Sequence, residues 1–307
     1  MRGALAGSLV VLGLLACARA AAQEPSAPVG ARVQARSAAE GLEDAVGTIV
    51  STGGDQWIGY EVPTADDGHV FCCHDSGHVS WGGEGPWNGC RLHATESGSL
   101  MTRERRSVRL RSERSIRVLL RVARGSLQQV RIASSECELD AGDETLTWLS
   151  DVSPAQSVAL LAALAEHRDT AGTLPESAPR RVATEAVRAI GVHQTPDAID
   201  ALIHIGRGSS PEGVRGQALF WLARAAGERA VATLESVVDT DPDVDIKNRA
   251  VFALGQLPSE RGVPLLIRVA RTHASPSVRR RAVFWLGQSD DAMAFDFIVG
   301  LLEGGKP

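Results

Sequence analysis

The 307-residue chain has no excess of positive charge: 32 Lys and Arg stand against 37 Asp and Glu, for a formal net charge of −5. With a sequence pI of about 5.9, the chain as a whole does not attract phosphodiester backbones. It carries no nucleic-acid-binding motif either, so no nucleic-acid partner is expected. Beyond the first sixteen residues no apolar run is long enough to span a bilayer, which removes a transmembrane segment. A phosphate loop, a dinucleotide fingerprint, a G-x-S-x-G elbow and an H-E-x-x-H pair are all missing. No catalytic residues, no enzyme class and no cofactor are therefore expected. Aromatic residues are scarce at 4%, but 44% hydrophobic and 22% charged residues are ordinary for a globular protein, which excludes a wholly disordered chain.

The N-terminus, "MRGALAGSLVVLGLLACARA", joins an early Arg to an apolar run from Ala4 to Ala16 and a small-residue ending, Ala18-Arg19-Ala20. This is the layout of a cleaved secretory signal, assigned to residues 1–22, and it implies export to the periplasm or cell surface. The alternative processing is at "LLAC", residues 14–17, which makes Cys17 a lipid anchor. Residues 23–45, rich in Ala, Ser, Pro and Gly, read as a flexible lead-in.

The C-terminal half repeats itself. "VRGQALFWLAR" at 214–224 returns as "IKNRAVFALGQ" at 246–256 and "VRRRAVFWLGQ" at 278–288, each 32 residues on, and "VATEAVRAIGV" at 182–192 falls in the same register. Val182, Val214, Ile246 and Val278 open the four copies at position 1; Ala186, Ala218, Ala250 and Ala282 hold position 5. A second helical pattern follows each copy, through Ile199, Val231, Val263 and Phe295 and then Leu202, Leu234, Leu266 and Ile298. Each unit is thus a helix pair, separated by breakers such as "GERA", "PSER" and "QSDD". One pair cannot cover its own apolar face, so neighbouring pairs must stack into a solenoid over residues 178–307, preceded by a helical connector at 151–177.

The order Val278, Arg279, Ala282, Leu286, Gly287, with Leu265 and Leu266 in the preceding second helix, resembles HEAT repeats. The Ala-rich form is similar to the phycobilisome-lyase-like group, and the layout of the whole chain resembles exported bacterial HEAT-repeat proteins. The resemblance implies an interaction surface rather than an activity, because a fold does not name a function. The lyase-like repeats also imply a second function, help with covalent attachment of a cofactor or chromophore.

Between about 46 and 150 the apolar period changes from 3.6 to 2. "GTIVSTGG", "WIGYEVP", "HVFCCH", "SVRLRS", "SIRVLLRVA" and "QQVRIASS" are short strand-like runs separated by Gly, Asp and Ser, which predict a small antiparallel β domain. The overall class is then α+β and multidomain. In "SIRVLLRVA" the residues Ile116, Val118, Leu120 and Val122 share the core face, opposite Arg117 and Arg121. Ten arginines lie between residues 103 and 131, with only Glu104 and Glu113 among them. They read as the solvated polar half of the alternation, with an anionic glycan or lipid head group as the alternative ligand.

With the signal removed, four cysteines remain: Cys72, Cys73, Cys90 and Cys137. In an exported chain an even number implies disulfides. A bridge between the neighbours Cys72 and Cys73 is strained, so one of them is expected to join Cys90 and the other Cys137. The rival reading uses His69, Cys72, Cys73, His74, His78, Cys90 and His93 as metal ligands, which would support a metal-dependent hydrolase. Their spacing fits no usual zinc pattern, and no metal is expected. Asp75, Ser76 and His78 lie too close together in sequence to build a catalytic triad alone.

Two repeat positions carry aromatics. Position 8 reads Ala189, Trp221, Ala253, Trp285, an alternation expected in the core between units. Position 7 reads Arg188, Phe220, Phe252, Phe284 and holds three of the six Phe of the chain. Phe220, Phe252 and Phe284 are the candidate contacts for a protein partner on the solenoid surface; the competing expectation is that the β domain or the first-helix ridge of the next unit covers them.

Overall fold

The computed structural model describes residues 32–52, 54–64, 90–91, 115–135, 137, 139–140, 143–168, 180–193, 195–208, 210–225 and 227–304. The strand-like runs build a five-stranded sheet in the order β1 (Arg32–Ser37), β7 (Thr145–Ser150), β2 (Gln56–Pro63), β4 (Ser115–Ala123), β5 (Ser126–Ser134). β4 and β5 form a hairpin closed by Arg124 and Gly125, both at positive φ, as a tight two-residue turn requires. β2 adds antiparallel to β4.

The sheet is mixed rather than antiparallel, because β7 runs parallel to both β1 and β2. The chain leaves β1, crosses through helix α1 (Leu42–Thr52) and returns as β2, and β7 fills the place between them. The stretch expected as a flexible lead-in therefore holds β1 and the start of α1 from residue 32 onward. All six residues of β1 are exposed, so backbone pairing to a distant strand, which leaves no apolar alternation, holds it in place. In α1, Leu42, Ala45, Val46, Ile49 and Val50 are buried at helical spacing and lie against the sheet.

Both faces of the sheet are covered. Ile116, Val118, Leu120 and Val122 belong to the main core, while Trp57, Leu119, Ala133, Cys137, Leu139 and Leu146 form a smaller core behind it, with Trp148 packed on it. The arginines described on that second face are not a solvated surface. Arg117 is buried and donates to Glu61 and to the Cys137 carbonyl. Arg121 pairs with Glu144 and lies over the Trp57 ring, as does the buried Arg131. Burial of these arginines depends on that pairing and stacking. A free anion-binding face is thereby removed at Arg117, Arg121 and Arg131; residues 103–114 lie outside the described residues.

The helical half starts at α2 (Pro154–Ala165), closed at its N-terminus by a capping box between Ser153 and Gln156. The first helices of the units are α3 (Arg180–His193), α5 (Glu212–Ala225), α7 (Val244–Leu254) and α9 (Pro276–Leu286). Their seconds are α4 (Pro196–Arg207), α6 (Glu228–Thr240), α8 (Ser259–Thr272) and α10 (Ala292–Leu302). α2 packs on α3 and α4 and so acts as a lone second helix ahead of the first unit. The four position-5 alanines have no exposed surface; their small side chains let α3, α5, α7 and α9 lie directly against one another. The basic residue at position 2 caps the second helix of the unit before: Arg215 donates to the Gly206 carbonyl, Lys247 to Asp239 and Arg279 to His273. These carbonyls are left unsatisfied at a helix C-terminus, where positive charge is also favoured.

Sheet and solenoid share one core. A continuous set of touching buried side chains runs from Ala38 through Ile58, Leu161 and Val187 to Phe297, and α3 lies against β5. The N-terminal end of the solenoid is thus closed by the sheet.

Candidate functional site: the aromatic register and the end of the solenoid

At position 8 both tryptophans face the preceding unit. Trp221 is 4% exposed and lies directly over Gly191, where a Cβ would overlap its ring. Trp285 lies against Gly255 without such overlap: a Gly255 Cβ would be 3.4 Å from its Cβ and Cγ and 3.2 Å from the Phe252 carbonyl. Gly191 and Gly255 both stand at position 10. The fourth copy carries Gly287 there and the second carries Ala223, opposite Ala253 of the next unit. A large residue thus arrives where the previous unit has none, as close packing requires. Sequence reasoning saw the alternation at position 8 but missed its complement at position 10, which the same 32-residue register contains.

Position 7 behaves differently along the stack. Phe220 and Phe252 are half-buried and stack on each other at 6.0 Å with planes 7° apart. Trp285 then leans on Phe252 at 5.0 Å. Both rings therefore serve packing between units, and the structure separates them from Phe284, which is 50% exposed. Phe284 touches Trp285 edge-on at 5.1 Å, and Arg281 lies over its outer face. The difference follows from position: units follow Phe220 and Phe252, while the next helix after α9 is its own partner α10.

The second helices show the same end effect. Val263 is buried and Ile199 and Val231 are half-buried, while Phe295 in the same register is 67% exposed. Met293 and Leu302 are also exposed on α10. Together with Phe284 they make the last described unit apolar where the inner units are covered. Beside it a cleft of 550 Å³ opens between the turns of the last two units. Trp285 forms one wall, its Nε1 buried without a hydrogen-bond partner among the described residues, and Glu260, Asp290 and Asp291 stand on the rim. The Asp291 carboxylate accepts from the Met293 amide as the cap of α10.

A nucleophile-and-base pair does exist in the fold, but it is sealed. Ser157 Oγ lies 2.9 Å from His193 Nε2 and 3.0 Å from the Tyr60 hydroxyl, and all three residues have no exposed surface. His193 Nδ1 lies 2.6 Å from the Ala189 carbonyl, which fixes the tautomer: Nδ1 carries the proton and Nε2 accepts. Tyr60 then donates to Ser157, and Ser157 donates to His193. Burial pushes the His193 pKa down and that of Tyr60 up, so both stay neutral and every donor has an acceptor. The relay ties β2 to α2 and α3, with Thr64 donating to the Val192 carbonyl at 2.6 Å beside it. Substrate cannot reach it, and it reads as a structural joint.

Of the four cysteines, Cys137 is buried in the smaller core. Cys90 lies on β3 (Cys90–Arg91), which pairs in parallel with β6 (Leu139–Asp140), Cys90 beside Leu139. Cys17, Cys72 and Cys73 lie outside the described residues, as do His69, His74, His78, His93 and the expected signal. Among the described residues no group of three or more His, Cys, Asp or Glu side chains is placed to hold a metal, and no helix is long and apolar enough to cross a membrane.

Residues 173–255 match the family described as HEAT repeats, and residues 246–272 the family described as PBS lyase HEAT-like repeat. The chain matches no curated protein. Among solved structures it is similar to human deoxyhypusine hydroxylase in complex with glycerol, at 17% identity and a TM-score of 0.35, over 50% of this chain and 48% of that one. It is also similar to the complex of CpcE and CpcF of phycocyanin lyase from Nostoc sp., at 18% identity and a TM-score of 0.35, over 48% of this chain and 89% of that one. The chain thus spans about half the length of the hydroxylase.

Proposed function

From the HEAT repeats that the C-terminal half carries, we propose that the chain is a non-enzymatic scaffold that binds a protein partner through the solenoid. The observation that carries this reading is the apolar end of the last described unit, where Phe284, Met293, Phe295 and Leu302 are exposed. An exposed apolar cluster of this kind marks a contact surface. Among the expected contacts, Phe284 keeps the binding role, while Phe220 and Phe252 support it by fixing the stack behind it.

The reading includes export, drawn from the N-terminal sequence, to the periplasm or cell surface, with Cys17 as the alternative lipid anchor. It also includes disulfides in the sheet domain. In that domain one of Cys72 and Cys73 joins Cys90 and the other joins Cys137. The test is capture by the immobilised full chain from a native envelope extract, with identification by mass spectrometry, repeated with Phe284→Ser. The scaffold reading expects a defined partner held by the native chain and lost by the variant. A native chain that holds no partner contradicts it.

A second reading, help in attaching a cofactor or chromophore covalently, is supported by the lyase-like repeat over residues 246–272. Under it the purified native protein carries a visible absorbance band or a covalent adduct in its intact mass; the scaffold reading expects aromatic absorbance alone.

A further inference from the structure

The junctions inside the solenoid show what the outer face of α9, which no described helix covers, is shaped to receive. At α3–α5 a tryptophan, Trp221, lies over Gly191; at α7–α9 Trp285 lies over Gly255 and against Phe252. At α5–α7, where position 10 is Ala223, the incoming residue is Ala253. Gly287 is the position-10 residue of α9. Its φ is −69° and its ψ −12°, a right-handed conformation open to any residue, so the backbone does not call for glycine there. Nor does packing: a Cβ on Gly287 would meet only the Phe284 and Val283 carbonyls of its own helix, at 3.5 and 3.6 Å. Gly287 and the exposed Phe284 therefore repeat the floor and wall that Gly255 and Phe252 offer to Trp285, with the indole missing.

Charge narrows the occupant. Position 3 of one unit faces position 4 of the next, as the close approach of Arg249 to Gly216 shows. On the open face position 3 is Arg280. Arg280 and Arg281 are both exposed, and neither has an ion-pair partner among the described residues. Two copies of this face brought together would oppose arginine to arginine, which disfavours a second copy of the chain. An acidic helix meets the same arginines with favourable pairs.

We propose that Phe284, Gly287 and Arg280 form a receptor for a partner protein's helix, which seats a tryptophan over Gly287 against Phe284 and meets Arg280 with a carboxylate one helical turn earlier. The proposal rests on the scaffold reading and names the chemistry of its partner. Tryptophan in a preformed notch, ringed by polar pairs, is the usual anatomy of a binding hot spot.

The test uses the full chain and a stapled helical peptide carrying Glu four residues before a single Trp, with binding read by fluorescence anisotropy of a label on the peptide. The expected results are saturable binding to the native chain, loss of about tenfold or more in affinity when the peptide Trp becomes Ala, and a similar loss with Gly287→Leu, which fills the notch. Gly287→Leu adds its Cβ at ordinary contact distances, so its melting temperature stays at the native value. Arg280→Glu weakens the Glu peptide and is rescued by a Lys-for-Glu peptide. Equal affinity of native chain and Gly287→Leu, or no binding by the native chain, overturns the proposal; so does a dimer in sedimentation that Gly287→Leu disperses. If Gly287→Leu still captures the native partner from extract, the scaffold reading stands and only this receptor falls. If the native chain captures none, the scaffold reading falls as well.

Discussion

Replacing Ser157 by Ala removes the one atom that both Tyr60 and His193 use. The Tyr60 hydroxyl loses its acceptor at 3.0 Å and His193 Nε2 its donor at 2.9 Å, in a site with no exposed surface where water cannot replace them. Each orphaned buried group costs about 1 to 3 kcal/mol, so Ser157→Ala is expected to destabilise by about 2 to 6 kcal/mol. Tyr60→Phe removes only the first donor and leaves Ser157 bonded to His193, for a cost of about 0.5 to 1.5 kcal/mol. The double variant costs less than the sum of the two, because removing the phenol removes one of the orphans that Ser157→Ala creates. Urea unfolding followed both by far-ultraviolet circular dichroism and by tryptophan fluorescence measures this. Because sheet and solenoid share one core, the two probes are expected to coincide. The reasoning is refuted if Tyr60→Phe costs more than Ser157→Ala, or if Ser157→Ala lies within about 0.5 kcal/mol of the native chain, the range of an ordinary surface change.

His193 is buried neutral, with its pKa held down by desolvation, whereas the unfolded chain takes up a proton below about pH 6.5. Stability is therefore expected to fall as pH drops below that value, by up to about 1.4 kcal/mol per pH unit from this group; an unchanged acid slope in His193→Gln contradicts this. Trp221→Ala opens a cavity over Gly191 and is expected to cost about 3 to 5 kcal/mol, whereas Phe284→Ser stays within about 1 kcal/mol; comparable melting losses in the two refute the division between packing and open end. Thiol titration of the denatured, unreduced mature chain, with elemental analysis, is expected to find neither free thiol nor zinc; four reactive thiols with one zinc restore the metal-site reading.

The 32-residue register was legible because each unit repeats the same local pattern, and local patterns are what a sequence displays. The two-helix unit and the buried alanines follow directly from it. The roles of Phe220, Phe252 and Phe284 were not separable that way: identical positions differ only in what packs on them, which is a tertiary fact. In the sheet domain the alternation of Ile116 to Val122 predicted the core face, but Leu119 and the stacked arginines behind it depend on Trp57, more than fifty residues away in the chain. β1 carries no apolar signature because its partner is backbone alone. Within α1, "GTIV" read as a strand-like run although Leu42, Ala45, Val46 and Ile49 keep helical spacing. The relay of Tyr60, Ser157 and His193 joins residues up to 133 apart, and nothing local singles out Ser157 or His193.

Hydrogen–deuterium exchange of the full chain, with and without its captured partner, tests most directly whether binding occurs on the last described unit of the solenoid. Protection confined to α9 and α10, residues 276–302, is the predicted result. Protection on the sheet, or along α3 and α5 with α9 and α10 unchanged, contradicts it.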